Sequence, residues 1–447
     1  MMRALGSVGL AALLASGCID LEKAYQGCVA SGRCGDGVDA GSGGGGGGGD
    51  GVGGGTAGTG GGSAGGGSAG GGSAGGGSAS SGGGAVGGYD GGPPCAPGGH
   101  PRLRCDAPID LLTGGNGVTW ASLAGNDVGF YAGWVTSTGI EVRELRNAGG
   151  ARTVISEQGL TNAQLAVDAR GARWGAAWLS DDATALKCLT SDTDAGFVLS
   201  LSDGGAMKYP TMALRATGGT ALTTVSDGDD AFHGGHGLGG CPSTLRDFPR
   251  TSIGTNGASV VATSSPVGDG FVYVRTGQYN FYNGGIELLA ELPDGGLQQQ
   301  FTGVDLHAPG NHAAAVSTSG ATVAIAYSQL NTNDKYEMGY FATSASFADD
   351  GNPLTLNDLS PGWWTASACG AGCVAVASIT ADRSLPATVT FLTDDTSAVR
   401  KGDYDALCNL PAQQVSDSSL AVATSGGRLG LLFTTPSTAR LYVCDVP

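Results

Sequence analysis

The sequence has little charge, and most of that charge is of one sign. Only 14% of the 447 residues are charged, and 22 lysines and arginines stand against 39 acidic residues, which gives a formal net charge of −17. Nucleic acids and anionic membranes attract proteins through basic surfaces. We therefore expect no nucleic-acid partner and no membrane binding driven by basic charge.

Residues that propagate helices are also scarce. The sequence contains 5 lysines and 7 glutamates against 32 aspartates. Aspartate favours caps and turns, whereas glutamate and lysine extend helices. The composition therefore excludes an all-α fold and indicates a chain with many turns.

Short motifs that carry known chemistries are missing. The sequence has no His-Glu-x-x-His pair, no phosphate-binding loop and no Asp-x-Asp-x-Asp-Gly calcium loop. It also lacks the Ser-x-Asp-x-Gly-x-x-Trp boxes of sialidase-type propellers. We therefore expect no cofactor and no metal, assign no catalytic residue, and predict that the protein is not an enzyme.

The N-terminus is the only segment with a membrane signal. One arginine precedes an apolar run over residues 4–15, which is too short to span a bilayer and is typical of a secretory signal peptide. The following residues, Leu14 to Cys18, resemble a bacterial lipobox. This resemblance implies a signal peptide over residues 1–17 and acylation of Cys18; an ordinary cleavage site after the small residues remains the alternative.

Two further observations bear on this anchor. The chain has 11 cysteines, so lipidation of one leaves an even number for pairing in an oxidising compartment. Ile19, rather than aspartate, follows Cys18, which favours the outer membrane, with the protein on the cell surface or the periplasmic face.

Between the anchor and the folded part lie two segments of different character. Residues 18–40 form a lipid-anchored N-terminal segment in which Cys28 and Cys34 are expected to close a small loop. Residues 41–100 form a Gly/Ser-rich linker, with 32 of the 85 glycines between residues 41 and 92. Such a composition buries too little apolar surface to fold, so we expect a disordered tether.

A repeat dominates residues 101–447. A six-residue apolar motif recurs at 129–134, 173–178, 322–327, 373–378 and 428–433, with weaker copies at 220–225 and 270–275. The copies lie about 50 residues apart, and hairpin-turn residues separate short alternating strands around them. Four strands per repeat of this length are typical of a propeller blade. The sequence therefore predicts an all-β, seven-bladed β-propeller; a pair of β-sandwiches is the alternative.

The last repeat is one strand short, because the chain ends at Pro447. Residues 103–105 and 109–112 are apolar enough to supply the missing strand from the other end of the domain. We therefore predict that the N-terminal part of the domain closes the ring.

The remaining cysteines suggest specific pairs. Cys369 and Cys373 flank a short hairpin turn, and Cys188 and Cys241 fall in neighbouring repeats. Cys105 and Cys444 form a candidate pair that would lock the ring. Cys95 and Cys408 complete a set of four whose connectivity the sequence leaves open.

Few other residues suggest a binding site. One polar cluster combines acidic residues with two histidines: Asp227, Asp229, Asp230, His233 and His236. Its His-x-x-His spacing lacks the geometry of a helical ligand pair, so we interpret residues 227–236 as a solvated surface loop and expect no metal there. We interpret His307 and His312 as solvated histidines of another loop.

Trp363 and Trp364 form the one aromatic pair that suggests a sugar platform, although core packing explains them better. We therefore expect a membrane-anchored lipoprotein whose propeller binds an unknown protein or glycan. The alternative is an exported polysaccharide hydrolase or lyase.

Overall fold

The computed structural model describes residues 99–447, with gaps at 115–116, 162, 194–195, 202–203, 227–230, 249–253, 265–269, 279–282, 292–295, 308, 318–321, 331–335, 345–353, 358–360, 371, 381–386, 394–399 and 408–418. The predictions made for the signal peptide, Cys18, Cys28, Cys34, Cys95, Cys408 and the linker up to residue 98 lie outside the described residues. None of the described residues belongs to a helix long and apolar enough to cross a membrane.

The described part of the chain consists of β-strands joined by turns. In chain order the strands are β1 (Ile109–Thr113), β2 (Trp120–Gly125), β3 (Gly129–Thr136), β4 (Gly139–Arg146), β5 (Ala151–Gln158), β6 (Leu165–Arg170), β7 (Arg173–Leu179), β8 (Ala185–Thr190), β9 (Phe197–Ser200), β10 (Met207–Leu214), β11 (Thr220–Ser226), β12 (Phe232–Gly237), β13 (Arg246–Asp247), β14 (Gly254–Ser264), β15 (Phe271–Gln278), β16 (Asn283–Glu291), β17 (Leu297–His307), β18 (Pro309–Ser317), β19 (Thr322–Leu330), β20 (Tyr336–Ser344), β21 (Leu354–Asn357), β22 (Pro361–Ala368), β23 (Val374–Thr380), β24 (Ala387–Leu392), β25 (Arg400–Ala406), β26 (Ser419–Ser425), β27 (Arg428–Thr435) and β28 (Thr438–Asp445).

Within the described residues these strands form seven antiparallel sheets of four strands each. Sheets I to VI take four consecutive strands each: β2–β5, β6–β9, β10–β13, β14–β17, β18–β21 and β22–β25. Sheet VII has the strand order β1, β28, β27, β26, so it combines both ends of the domain.

The first strands of the sheets lie next to one another in a closed succession. β2 contacts β6, β6 contacts β10, and the series continues through β14, β18, β22 and β26 back to β2. Two stacked sandwiches do not produce this cyclic order. The all-β, propeller-like class predicted from the repeat is therefore confirmed, and the sandwich alternative is wrong.

The prediction that the N-terminal part of the domain supplies the missing strand of the last repeat is confirmed. β1 pairs antiparallel with β28, with Ile109 opposite Leu441 and Thr113 opposite Thr438. Ahead of β1, the backbone of Leu103 donates to the carbonyl of Asp405 in sheet VI at 2.8 Å. The segment before β1 therefore joins sheet VI to sheet VII.

Three predicted cysteine pairs lie at disulfide distance. Cys105 and Cys444 meet beside the closing strand, at a sequence separation of 339. Cys188 on β8 joins Cys241, which lies between β12 and β13 of sheet III, and Cys369 joins Cys373 across the turn between β22 and β23. The first pair therefore links the two ends of the domain, the second links two neighbouring sheets, and the third closes one hairpin.

Small residues in the second strands allow neighbouring sheets to approach closely. A Cβ added at Gly430 of β27 would lie 2.5 Å from Cε1 of Phe130, which belongs to sheet I. A Cβ at Gly133 of β3 would lie 2.6 Å from Cδ2 of Leu165 in sheet II. Large apolar side chains of one sheet therefore fill the space that glycines leave in the next.

We expect Gly430→Ala to destabilise the domain by about 1–3 kcal/mol, because an added methyl group in a filled interface forces its neighbours to move. Thermal or urea unfolding measures this loss. Gly196→Ala is the matched control: its Cβ would meet only the carbonyl oxygen of Cys188, at an ordinary 3.4 Å. Equal stability of the two variants would contradict this account of the sheet interface.

The interpretation of residues 227–236 as a surface loop is wrong for its second half. Phe232–Gly237 forms strand β12, which pairs with β11 on one side and β13 on the other. Phe232 and His233 are buried, and Gly234 and Gly235 leave room for Phe248 and for the backbone of Thr244. Tertiary packing therefore makes a strand of a segment whose composition resembles a loop.

Candidate functional site

Two adjoining cavities lie along the first strands of the sheets. The channel cavity, of about 190 Å³, is lined by residues of β2, β6, β10, β14, β22 and β26. The mouth cavity, of about 270 Å³, is lined by the turns that follow β2, β6, β22 and β26. The two share Gly125, Ala169, Arg170 and Thr424. A channel that opens at one end of the first strands is therefore the candidate site.

Side-chain oxygens cross-link the strands that line the channel. Each accepts a hydrogen bond from a backbone N–H of the next sheet: Ser122 from Val167 at 3.0 Å, Asp168 from Leu214 at 2.6 Å, Thr211 from Ala262 at 3.1 Å, and Thr365 from Val422 at 2.9 Å. These bonds fix the spacing of neighbouring sheets. The cavity wall is therefore preorganised.

Asp168 is the carboxylate of the channel cavity. Burial raises its pKa above the usual 3.8, and this effect outweighs the charges of Arg170 and Arg173 and the hydrogen bond from Leu214, which lower it. The folded state therefore favours the protonated carboxyl more than the unfolded chain does. Asp168 contributes stability at low pH that is lost as pH rises through the folded-state pKa.

We expect Asp168→Asn to be at least as stable as the wild type at pH 7, because asparagine keeps the acceptor for the Leu214 N–H and has no charge to desolvate. The advantage of the variant should shrink as pH falls toward 3.8, by about 1.4 kcal/mol for each unit of the pKa shift. Melting temperatures of both proteins between pH 3.5 and 8 measure this. A constant difference at all pH values would show that the Asp168 pKa is unshifted.

The mouth is held by a hydrogen-bonded network centred on Asn126. The buried Asn126 side chain accepts from the N–H groups of Val128 and Gly129 at 3.0 and 3.2 Å and donates to the carbonyl of Arg173 at 3.3 Å. The backbone carbonyl of Asn126 accepts a hydrogen bond from Ser425 Oγ at 2.6 Å. The turns of sheets I, II and VII are therefore tied together.

The turn of sheet VII next to Ser425 uses two glycines with positive φ. Gly426 and Gly427 have φ of 54° and 77°, a conformation that residues with side chains rarely adopt. This tight turn leaves backbone rather than bulky side chains at the mouth.

Arg170 stands where the two cavities meet. It is the last residue of β6, half-buried, and it lines both cavities. It is the only lysine or arginine among the lining residues of the two cavities as described. Asp127, which is exposed, lines the mouth as well. The site thus combines one guanidinium with two carboxylates.

The histidines of the polar cluster are not brought together as metal ligands. His233 and His236 are three residues apart on β12, so they point to opposite faces of sheet III. His233 lies 2.9 Å from Asp247, and His236 lies 2.8 Å from Glu291 of sheet IV. The described residues contain no group of three histidine, cysteine or acidic side chains suited to a metal.

The other candidate residues contribute little to the site. Trp364 is buried in the core beside Val374 and Val376, in agreement with the packing interpretation. The side chains of Trp363, His307 and His312, and residues 227–230, lie outside the described part of the chain. None of the described side chains among these candidates lines the two cavities.

Sequence reasoning missed the residues that line the channel. Asp168 and Arg170 sit in the otherwise apolar β6, and the hydrogen bonds to the next sheet span 45 to 57 residues. The only sequence signal was a polar residue within an otherwise apolar first strand. Such a residue indicates a channel position only after the structure shows that the first strands surround one axis.

No protein-family model matches the chain, and no curated protein matches it. Solved structures that resemble it include YCF48 bound to D1 peptide (11% identity, 76% of this chain and 97% of that chain, TM-score 0.41), a puromycin-hydrolyzing peptidase of Mycobacterium tuberculosis (10%, 75% and 53%, 0.45) and the WD40 domain of Toxoplasma gondii coronin (11%, 78% and 88%, 0.44). Similarity at this level assigns no function to the chain.

Proposed function

We propose that the chain is a non-enzymatic binding module carried by a lipoprotein of the bacterial outer membrane. The observation that carries this proposal is the pair of adjoining cavities, whose walls are fixed by hydrogen bonds and whose mouth presents Asp127 and Arg170. Preformed concave sites with a few convergent polar groups are typical of ligand binding. The partner is a protein or a glycan, and the site needs no cofactor.

In this proposal the seven sheets are seven blades of one ring. The four-stranded composition of each sheet and the cyclic order of the first strands support this count. The seven-copy repeat in the sequence supports it independently. An experimental structure of the domain tests the number directly, and any other number of blades would overturn it.

The anchor rests on the lipobox-like residues before Cys18. Metabolic labelling with a radioactive fatty acid should mark the wild-type chain and leave Cys18→Ser unlabelled. Fractionation should place the labelled protein in the outer membrane, because Ile19 follows the lipidated cysteine. Equal labelling of both proteins would contradict lipidation at Cys18.

Binding is tested by probing glycan and peptide arrays with the full chain while released products are assayed. We expect retention of one ligand class without turnover. The alternative function, a polysaccharide hydrolase or lyase, draws support from Asp168, because a carboxyl in a cavity with its pKa raised by desolvation is suited to general-acid catalysis. Turnover abolished by Asp168→Asn would establish that alternative and exclude the non-enzymatic module.

A further inference from the structure

The two cavities set limits on what enters them. Even together they reach only the lower half of the range of roughly 300–1,000 Å³ that is typical of sites for drug-sized ligands. A folded partner does not fit in such a space, whereas a single small unit at the end of a chain does. The cavities therefore suit an end group rather than a broad protein surface.

Charge excludes some classes of end group. Phosphate and sulfate are recognised by clusters of arginine and lysine. The lining supplies one guanidinium, from Arg170, and two carboxyl groups, from Asp127 and Asp168. The chain as a whole carries a net charge of −17, which repels anions further. The site therefore disfavours an anionic ligand.

Hydrogen-bond chemistry then identifies a better match. The Asp127 carboxylate only accepts hydrogen bonds and the Arg170 guanidinium only donates them, so a ligand that satisfies both groups must offer donors as well as acceptors. Hydroxyl groups do both. The described lining contains no aromatic ring, so recognition depends on hydrogen bonds rather than on stacking.

An extended peptide is the weaker match. Peptides are commonly bound along an open strand edge or through pockets for alternate side chains. The first strands are the edge strands of their sheets, but side-chain oxygens of neighbouring sheets already accept hydrogen bonds from several of their backbone N–H groups. Seven of the 17 residues that line the channel are alanines. A peptide added as a further strand would have to displace these side-chain acceptors, and the short alanine side chains do not form a set of pockets for alternate residues.

We infer that the mouth and channel bind the uncharged terminal sugar of a glycan, with Arg170 and Asp127 holding its hydroxyl groups at the mouth and Asp168 lying deeper in the channel. This inference rests on the proposed binding function and specifies its ligand class. Arg170, at the junction of the cavities, is the residue on which the affinity depends most.

The test is a titration of the full chain with neutral disaccharides, namely cellobiose, maltose and N,N′-diacetylchitobiose, and with peptides bearing free or amidated C-termini. We expect at least one neutral sugar to bind and Arg170→Ala to weaken it at least tenfold. Arg170→Lys should also weaken it severalfold, because an ammonium group lacks the planar fork of donors. Arg104→Ala, which removes an exposed arginine with a long contact to Asp445, should leave the affinity unchanged.

The outcomes separate this inference from the function on which it rests. Sugar binding that survives both Arg170 variants would place the ligand elsewhere and overturn the inference, while the binding module stands. Binding of peptides alone would overturn the sugar assignment in the same way. Absence of binding to the sugars, the peptides and the arrays would overturn both proposals. Melting temperatures of the Arg170 variants close to that of the wild type ensure that lost binding is not lost folding.

Discussion

Deletion of residues 101–112 is expected to lower the melting temperature by roughly 10 to 20 °C. The deletion removes most of β1, the buried side chains of Leu103 and Leu111, and the bond between Cys105 and Cys444. Each buried leucine contributes about 2 kcal/mol, and a disulfide that closes a long loop contributes about 2–5 kcal/mol. At about 2 °C per kcal/mol for a domain of this size, the losses give the expected range.

A control variant separates the contribution of the β1 strand from that of the disulfide. The deletion is combined with Cys444→Ala so that no unpaired thiol remains. It is compared with the double variant Cys105→Ala/Cys444→Ala, which keeps β1. We expect the double variant to lose only the part of the stability that the disulfide contributes. Calorimetry at matched protein concentration measures both. An unchanged melting temperature after the deletion would show that the ring does not need its N-terminal strand.

Loss of one partner from the buried ion pair of sheet IV is the second large effect. Arg275 on β15 and Glu287 on β16 lie directly opposite each other, with 1% and 0% of their side chains exposed. The guanidinium lies 5.1 Å from the centre of the Phe232 ring, and its burial lowers the pKa of Arg275. We expect Glu287→Leu to cost about 3–5 kcal/mol, because it leaves the arginine charge buried without its counter-charge.

The matched control is the double variant Arg275→Met/Glu287→Leu. Replacing both ions by apolar side chains of similar volume is often neutral, so the double variant should recover most of the stability that the single variant loses. Urea unfolding of the wild type, both single variants and the double variant completes a cycle and gives the coupling energy. Additive losses in the double variant would contradict a buried, mutually compensating pair.

The sequence was sufficient for the features that repeat. Alternating apolar residues and turn residues at intervals of about 50 indicated four-stranded units, and a final unit without room for a fourth strand indicated that β1 pairs with β28. Cys105 and Cys444, one of the candidate pairs that the sequence left open, lie at disulfide distance beside this closing strand. These predictions succeeded because hydrophobic alternation and hairpin turns are local signals.

Other features were out of reach for local signals. Residues 232–237 contain three glycines and two histidines and resemble a loop, yet they form β12 because two flanking strands and the ring of Phe248 enclose them. Asp168 and Arg170 look like ordinary polar residues of an alternating strand. Their position in the channel depends on strands that are far away in the sequence.

The amino-acid sequence by itself therefore determined the β-class, the repeat and the closing strand, since each follows from the spacing of residue types along the chain. Only the tertiary structure decided which polar residues meet at the channel and its mouth. Those residues come from separate sheets, and the distances between them are set when the first strands surround one axis and the last sheet closes. Spacing along the chain does not contain that geometry.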